Sequence, residues 1–294
     1  MFAEFDLVMP GDLDEALDIL AEASGDGGSE VLPLAGGTNL VVDLRARRVT
    51  TDKLVGLGRI GALRGIERSN GRVAIGAGTT LSDILRDPGM AAAAPSLVES
   101  ARVFAGQMVR NTATVAGNVC CGSPAADTVP PLLSLDAEVT LTGRDGSRTV
   151  PLSDFFLGYQ ENQRRPGELV TGISWDAPKA RSANLFYKLA RRKGDAITVV
   201  GIAVTVAVEA GRCSTARIAL GAVAPIVKRA REAEAILEGE ALTPELIEAA
   251  ARRAVEESSP IDDVRASADY RRHSVHALTR RLLTQAWDRA AGGN

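Results

Sequence analysis

Arg110-Asn-Thr-Ala-Thr-Val-Ala-Gly-Asn-Val-Cys-Cys-Gly-Ser-Pro-Ala-Ala-Asp127 packs turn formers, small residues and polar side chains into one segment with little amphipathic pattern. Thr114, Gly117, Asn118, Ser123 and Asp127 supply hydroxyl, amide and carboxylate groups, while Ala116, Gly117 and Gly122 leave room for a ligand to lie against the backbone. Two readings fit this composition, an ordinary surface loop and a ligand loop.

A second loop of the same kind lies earlier and tips the balance toward a ligand. The short apolar strand that begins at Val31 runs straight into Gly36-Gly37-Thr38-Asn39. Two successive glycines after a strand can turn their N–H groups inward together, a concave donor array that suits a phosphate or diphosphate. Thr38 and Asn39 stand ready to bond phosphate oxygens or a sugar hydroxyl. The dinucleotide fingerprint Gly-x-Gly-x-x-Gly is not what this loop carries, and no P-loop Gly-Lys-Ser/Thr occurs, which disfavours a Rossmann or P-loop site.

With 294 residues the chain is long enough for two or three structural units and a well-buried core. Hydrophobic residues make up 45% and charged residues 24%, a globular balance, and the formal net charge of -3 offers no broad basic field for nucleic acid or an anionic membrane. No run approaches the roughly 18 to 20 apolar residues of a membrane span, and Met1 to Asp6 lacks a basic segment followed by an apolar one, so a cytoplasmic protein is expected. Three cysteines, with Cys120 and Cys121 adjacent and Cys213 distant, make neither a disulfide framework nor a metal-ligand set. Both histidines, His273 and His276, fall in a C-terminal helical stretch and read as helix surface.

Around the two loops the pattern is mixed α and β. Asp12-Leu-Asp-Glu15 has a capping-box arrangement opening a helix with Leu13, Leu17 and Leu20 on one side, stopped by the glycines from Gly25 onward. Leu54–Leu57 and Gly71–Gly78 read as short strands, Thr80 with Asp83 caps a helix, and residues 91–109 suggest a helix leading into the Arg110 loop. Pro130-Pro131-Leu-Leu and the stretch from Ala137 alternate like strands, Asp145-Gly146 marks a hairpin, and Leu169–Trp175 closes the region. Beyond a polar connector from Asp176, three strands follow at Asn184–Ala190, Thr198–Val208 and Cys213–Gly221, the second mostly apolar and so well covered. From Lys228 the pattern is helical, with Val275, Leu278, Leu282, Leu283 and Ala286 forming a stripe in the last segment and its arginines on a solvated or partner-facing side.

Pro33-Leu-Ala-Gly-Gly-Thr-Asn-Leu40, Phe104-Ala-Gly-Gln107, Thr114-Val-Ala-Gly-Asn118, Ser123-Pro-Ala-Ala-Asp127 and Tyr187-Lys-Leu-Ala-Arg-Arg192, in this order and spacing, resemble the FAD-binding subunit of molybdenum hydroxylases, the xanthine dehydrogenase and aerobic carbon monoxide dehydrogenase family. The resemblance covers essentially the whole chain, including Ile261-Asp-Asp-Val-Arg-Ala-Ser-Ala-Asp-Tyr-Arg-Arg272. It implies an α+β chain with a two-subdomain FAD-binding fold of the PCMH/vanillyl-alcohol oxidase type over residues 1–176, split near 57. A C-terminal domain of the carbon monoxide dehydrogenase flavoprotein type, a small three-stranded sheet with helices, would follow over 177–294.

Carried over position by position, Pro33, Leu34, Ala35, Gly36, Gly37, Thr38, Asn39 and Leu40 would hold the FAD diphosphate, and Thr114, Gly117 and Asn118 would serve the diphosphate and ribityl chain from the other side. Asp127 would accept from a sugar or ribityl hydroxyl, Ser123 would join the set, Phe104 and Val170 would pack near the cofactor, and Lys188 would lie close to the flavin or its phosphates. Ala116 departs from a position that is often Gly, Cys120 and Cys121 lack the cysteine-rich insertion that holds an extra iron–sulfur cluster in the hydroxybenzoyl-CoA reductase branch, and no histidine near the loops would attach the flavin covalently. The resemblance implies a non-covalent FAD that takes electrons singly from 2Fe-2S clusters and passes them to NAD+, a quinone or oxygen, with no protein acid or base as catalyst and no metal on this chain. A large molybdenum-cofactor subunit and a small 2Fe-2S subunit would be its partners, as a dimer of heterotrimers. Two alternatives remain at this point, a stand-alone FAD-dependent oxidoreductase with its own substrate pocket and a non-catalytic assembly module.

Overall fold

The computed structural model describes residues 4–25 and 31–292, and along these residues three sheets of three or more strands follow one another. The first comprises β1 (Asp6–Val8), α1 (Leu13–Gly25), β2 (Val31–Leu34), α2 (Leu40–Arg45) and β3 (Lys53–Gly56), with the strands parallel in the order β1-β3-β2. Asp12 accepts the N–H of Glu15 at 2.9 Å and the Glu15 carboxylate accepts the N–H of Gly11 at 2.8 Å, so the start of α1 is where the acidic pattern puts it. Ala16, Leu17 and Leu20 bury its inner face. Gly25 is its last residue, and the further glycine stops at Gly27 and Gly28 lie outside the described residues.

The second sheet frames a cluster of short helices. In chain order come β4 (Ile66–Ser69), β5 (Arg72–Gly76), α3 (Leu81–Arg86), α4 (Met90–Ala93), α5 (Pro95–Val103), α6 (Gln107–Arg110), α7 (Val115–Cys120), α8 (Val129–Ser134), β6 (Glu138–Gly143) and β7 (Gly146–Pro151). Next are α9 (Leu152–Phe155), a small ladder of β8 (Phe156–Gly158) with β9 (Glu161–Asn162), and β10 (Leu169–Asp176). The strands run antiparallel as β4-β5-β10-β6-β7, and both bonds of the Thr80–Asp83 capping box form at α3. Trp175 of β10 is buried and its indole N–H donates to the carbonyl of Ala93 at 3.0 Å, which ties the sheet to α4.

Three local expectations change. The single helix expected over 91–109 is broken because Ala94 precedes Pro95, whose ring disfavours a helical predecessor, and because a corner at Ala105–Gly106 separates α5 from α6. Pro130-Pro131-Leu-Leu is helix α8 rather than strand, since prolines in a first turn sacrifice no internal hydrogen bond. The Arg110–Asp127 loop itself contains α7, N-capped by Thr114.

β11 (Ser182–Ala190), β12 (Thr198–Glu209), β13 (Arg212–Gly221) and β14 (Lys228–Arg229) make the third sheet, antiparallel in that order. Three long strands stand where expected, and the two-residue β14 is an addition at the point where helix was anticipated. Ile202, Val204, Val206, Ile218 and Leu220 form a core with the helices α10 (Arg231–Leu237), α11 (Pro244–Glu256) and α12 (Ala268–Gly292), whose Val275, Leu278, Leu282, Leu283 and Ala286 stripe points inward. On the opposite face β12 and β13 present Gly201, Ala203, Ala219 and Gly221 to α8: a Cβ on Gly221 would lie 3.0 Å from the Pro130 ring, so α8 packs close against them. Asn184 stitches this contact. Its carbonyl accepts the Ser96 N–H at 2.9 Å and its amide donates to Ser134 at 3.1 Å and Thr205 at 2.7 Å. His273 is exposed on α12, whereas His276 is half-buried with Nε2 3.0 Å from Glu248. Among the described residues no helix is long and apolar enough to cross a membrane.

Buried Arg271 fastens α12 to the strand ends through the carbonyls of Val199 (2.6 Å) and Ala222 (2.8 Å), and pairs with Asp263 at 2.8 Å. Burial works against ionisation of Asp263, but the N–H and guanidinium of Arg265, the N–H of Ala266 and the Arg271 guanidinium outweigh it and lower the carboxyl to about 2. A depressed carboxyl stabilises the fold above the unfolded value of about 3.9, and that stability is lost as pH falls toward about 2. The stability difference between wild type and Asp263→Asn in pH-dependent thermal unfolding is therefore expected to narrow between about pH 4 and about pH 2. A gap that stays constant over this range would contradict the assignment.

Candidate functional site

The two glycine-rich loops meet backbone to backbone. A Cβ on Gly36 would lie 1.9 Å from the carbonyl oxygen of Thr112, so only glycine lets the end of β2 approach the segment leading into α7. Gly37 follows with φ +67°, a left-handed conformation that turns the chain inward. Asn39 then donates from Nδ2 to Cys121 Sγ at 2.8 Å, a side-chain link between the loops. Ala35 and Gly117 are both exposed on the surface between them. Among the described residues, the N–H groups from Gly36 to Leu40 donate to no protein acceptor. Five successive unpaired donors beside two apposed backbones form a concave array suited to the oxygens of a diphosphate.

On the other side, local hydrogen bonds hold the Arg110–Asp127 segment rigid. The N–H of Leu81 donates to Ala113 and that of Val115 to Thr79, both at 3.0 Å, which pins the loop to the start of α3. Thr114 Oγ1 accepts the Gly117 N–H at 2.9 Å as the cap of α7. Asn118 Oδ1 accepts from the Thr128 N–H at 3.2 Å and hydroxyl at 2.7 Å, leaving its side-chain NH2 without a partner among the described residues. Ser123 Oγ accepts the Ala125 N–H at 3.2 Å. These groups brace the loop as much as they present it.

Asp127 and Lys188 lie deeper. The Lys188 ammonium is 2.6 Å from Asp127 Oδ2, both side chains are less than a tenth exposed, and the Thr198 hydroxyl donates to Oδ1. Burial pushes the Asp127 carboxyl above its ordinary range, with the Lys188 charge and the two hydrogen bonds pulling back against it. The pair fastens the third sheet to the loop, since Lys188 and Thr198 come from β11 and β12. Val170 is buried on β10, and half-buried Phe104 caps the end of α5. The expected set therefore separates into an accessible loop, Ala35 to Leu40 with Gly117 and Asn118, and an inner frame of Thr114, Asp127, Val170 and Lys188.

Sequence reasoning missed Thr198, Cys121 and Arg110. Only the fold brings Thr198 to Asp127, and Cys121 is half-buried and accepts from Asn39. Burial raises the pKa of both Cys120 and Cys121, which keeps them thiols rather than nucleophilic thiolates.

Residues 3–175 match the FAD-binding domain in molybdopterin dehydrogenase, and residues 185–286 match the CO dehydrogenase flavoprotein C-terminal domain. The chain belongs to this flavoprotein family. It is 33% identical over 287 residues to the carbon monoxide dehydrogenase medium chain of Hydrogenophaga pseudoflava, covering 98% of each chain. Its structure is similar to that of carbon monoxide dehydrogenase from the same organism, with a TM-score of 0.93, 34% identity and coverage of 98% of this chain and 99% of the other. Quinoline 2-oxidoreductase from Pseudomonas putida 86 is similar at a TM-score of 0.90 and 30% identity, with 99% of each chain covered. This flavoprotein is an oxidoreductase with FAD as its cofactor, and the N–H row at Gly36–Leu40, without protein acceptors among the described residues, is donor chemistry that fits a diphosphate.

If the buried pair holds the flavoprotein together, Lys188→Met alone leaves Asp127 uncompensated and costs about 3–5 kcal/mol, whereas Lys188→Met with Asp127→Leu costs much less. Denaturant unfolding of the two variants is the check; equal losses would show that the pair does not act as a unit.

Proposed function

We propose that this chain is the FAD-carrying electron-transfer subunit of a heteromeric molybdenum hydroxylase. The observation that carries the reading is the unpaired N–H row from Gly36 to Leu40 lying against the Arg110–Asp127 loop, in a chain whose two parts match a molybdopterin dehydrogenase flavoprotein throughout. Bound FAD would accept electrons one at a time from partner 2Fe-2S clusters and release them to NAD+, a quinone or oxygen. The large molybdenum-cofactor subunit and small iron–sulfur subunit would assemble with it as a dimer of heterotrimers in the cytoplasm.

Within that role the residues bind and orient rather than catalyse. Pro33 and Leu34 end the strand that delivers the loop, Ala35 and Leu40 border it, and Gly36 to Asn39 hold the diphosphate through N–H groups, with the side chains of Thr38 and Asn39 assisting. Asn118 offers its free NH2 to the diphosphate or ribityl chain, beside Gly117, and Thr114 and Ser123 keep that loop in shape. Phe104 and Val170 supply apolar walls. Asp127 and Lys188 fix the inner end, with the Asp127 oxygens taken by Lys188 and Thr198. Residues 1–176 carry the cofactor in two subdomains that divide near 57, and 177–294 brace it.

Gly36→Ala and Gly37→Val test the loop directly. The first drives a methyl into the Thr112 carbonyl and the second forces a branched residue into left-handed backbone, so flavin per chain in the purified complex is expected to fall at least about tenfold. Full flavin occupancy in both variants would remove the diphosphate from this loop.

A further inference from the structure

Between α5 and α6 the chain turns through a corner in which Ala105 adopts φ +35°, a left-handed conformation disfavoured for any L-residue with a side chain. The three carbonyls entering the corner are all held by cations. Lys188 Nζ donates to Val103 at 3.4 Å, and Arg110 Nη1 donates to both Phe104 at 2.7 Å and Ala105 at 2.6 Å. Arg110 Nη2 adds a bond to Gln107 Oε1 at 3.3 Å, and its Nε is buried with no partner among the described residues. The guanidinium is thus spent on the corner's own backbone. On the far side, Gly106 seats against the β11–β12 connection, where a Cβ would lie 3.2 Å from the Asp195 carboxylate.

Two explanations account for a cation here. A positive charge at the end of α5 favours the negative end of the helix dipole, and a lysine would serve for that. A guanidinium whose Nη1 bonds two consecutive carbonyls while its Nη2 is held by a third group instead fixes the backbone between them, and that rigid plane belongs to arginine. Here Nη1 is shared by the carbonyls on either side of the Ala105 Cα while Nη2 is held by Gln107, which is the second arrangement.

We propose that Arg110 is a positioning residue for the cofactor site: its guanidinium holds Ala105 in the left-handed turn and thereby fixes the half-buried Phe104 ring against the flavin. The inference rests on the reading that Phe104 lines the FAD site. It assigns Arg110 no contact with the cofactor and no charge effect upon it.

The test uses the full chain, freed of cofactor and titrated with FAD, with affinity read from flavin fluorescence and the environment of the ring from the visible absorption and circular dichroism of bound flavin. Arg110→Met is expected to weaken binding about tenfold and alter the bound-flavin dichroism, and Arg110→Lys to recover only part of either. Ala105→Gly in the Arg110→Met background is expected to restore the dichroism and bring affinity to within about threefold of wild type, because glycine takes up the turn without a clamp. Should Arg110→Met fail to fold, the same comparison is made with Arg110→Lys. A wild-type chain that does not take up FAD overturns the cofactor reading itself. Wild type that binds, together with an Arg110→Met chain of unchanged affinity and dichroism, overturns the positioning role, as does a loss that Ala105→Gly leaves in place.

Discussion

Where Gly36 meets the carbonyl of Thr112 there is no space for one further carbon atom, and this contact sets the distance between the two halves of the site. Around it the backbone carries the chemistry. Among the described residues the N–H groups from Gly36 to Leu40 have no acceptor, while the facing segment is pinned by its bonds to residues 79 and 81, so one loop offers donors and the other holds still. A cofactor held by backbone donors gains orientation at small cost in side-chain ordering, which suits a subunit whose task is to hold a redox group at a fixed place rather than to transfer protons.

The third sheet makes the arrangement rigid. Small residues on one face of β12 and β13 admit α8 closely, and polar links cross the contact at separate points: Asp127 with Lys188 and Thr198, Asn184 with Ser96 and Ser134, and Asp136 with Arg217 and Arg229. The buried ones among them, those of Asp127 and Asn184, add little net stability over an apolar contact, yet each is expensive to leave unpaired, so they favour one docking geometry over its neighbours. Lys188 belongs to this system and to the corner between α5 and α6 at once, through Asp127 and the Val103 carbonyl. Both features follow from one strand, β11, placed where the site needs a wall.

Much of this was legible in the residues. Gly36-Gly37-Thr38-Asn39 after an apolar run, the capping pair Thr80–Asp83 and the apolar stripe of the last helix each rest on a local rule, and each has the local structure that rule implies. Pro130–Leu133 misled because an alternating apolar stretch with prolines satisfies a strand pattern and a helix first turn equally, and packing under Gly221 decides between them. The inner frame was the least legible. Asp127 reads as a ligand group on its own, and only the register of β11 and β12 reveals that a lysine and a threonine from far along the chain already occupy its oxygens. Arg110 carried no signal, since its role depends on a single backbone angle five residues earlier.

The most direct measurement is a density map of the purified complex with its native cofactor, at a resolution that shows the diphosphate. The account predicts FAD phosphate oxygens within hydrogen-bonding distance of the N–H groups between Gly36 and Leu40, with the flavin ring reaching toward Phe104 and Lys188. Density for FAD elsewhere on the chain, or a complex in which this loop faces protein rather than phosphate, would contradict it.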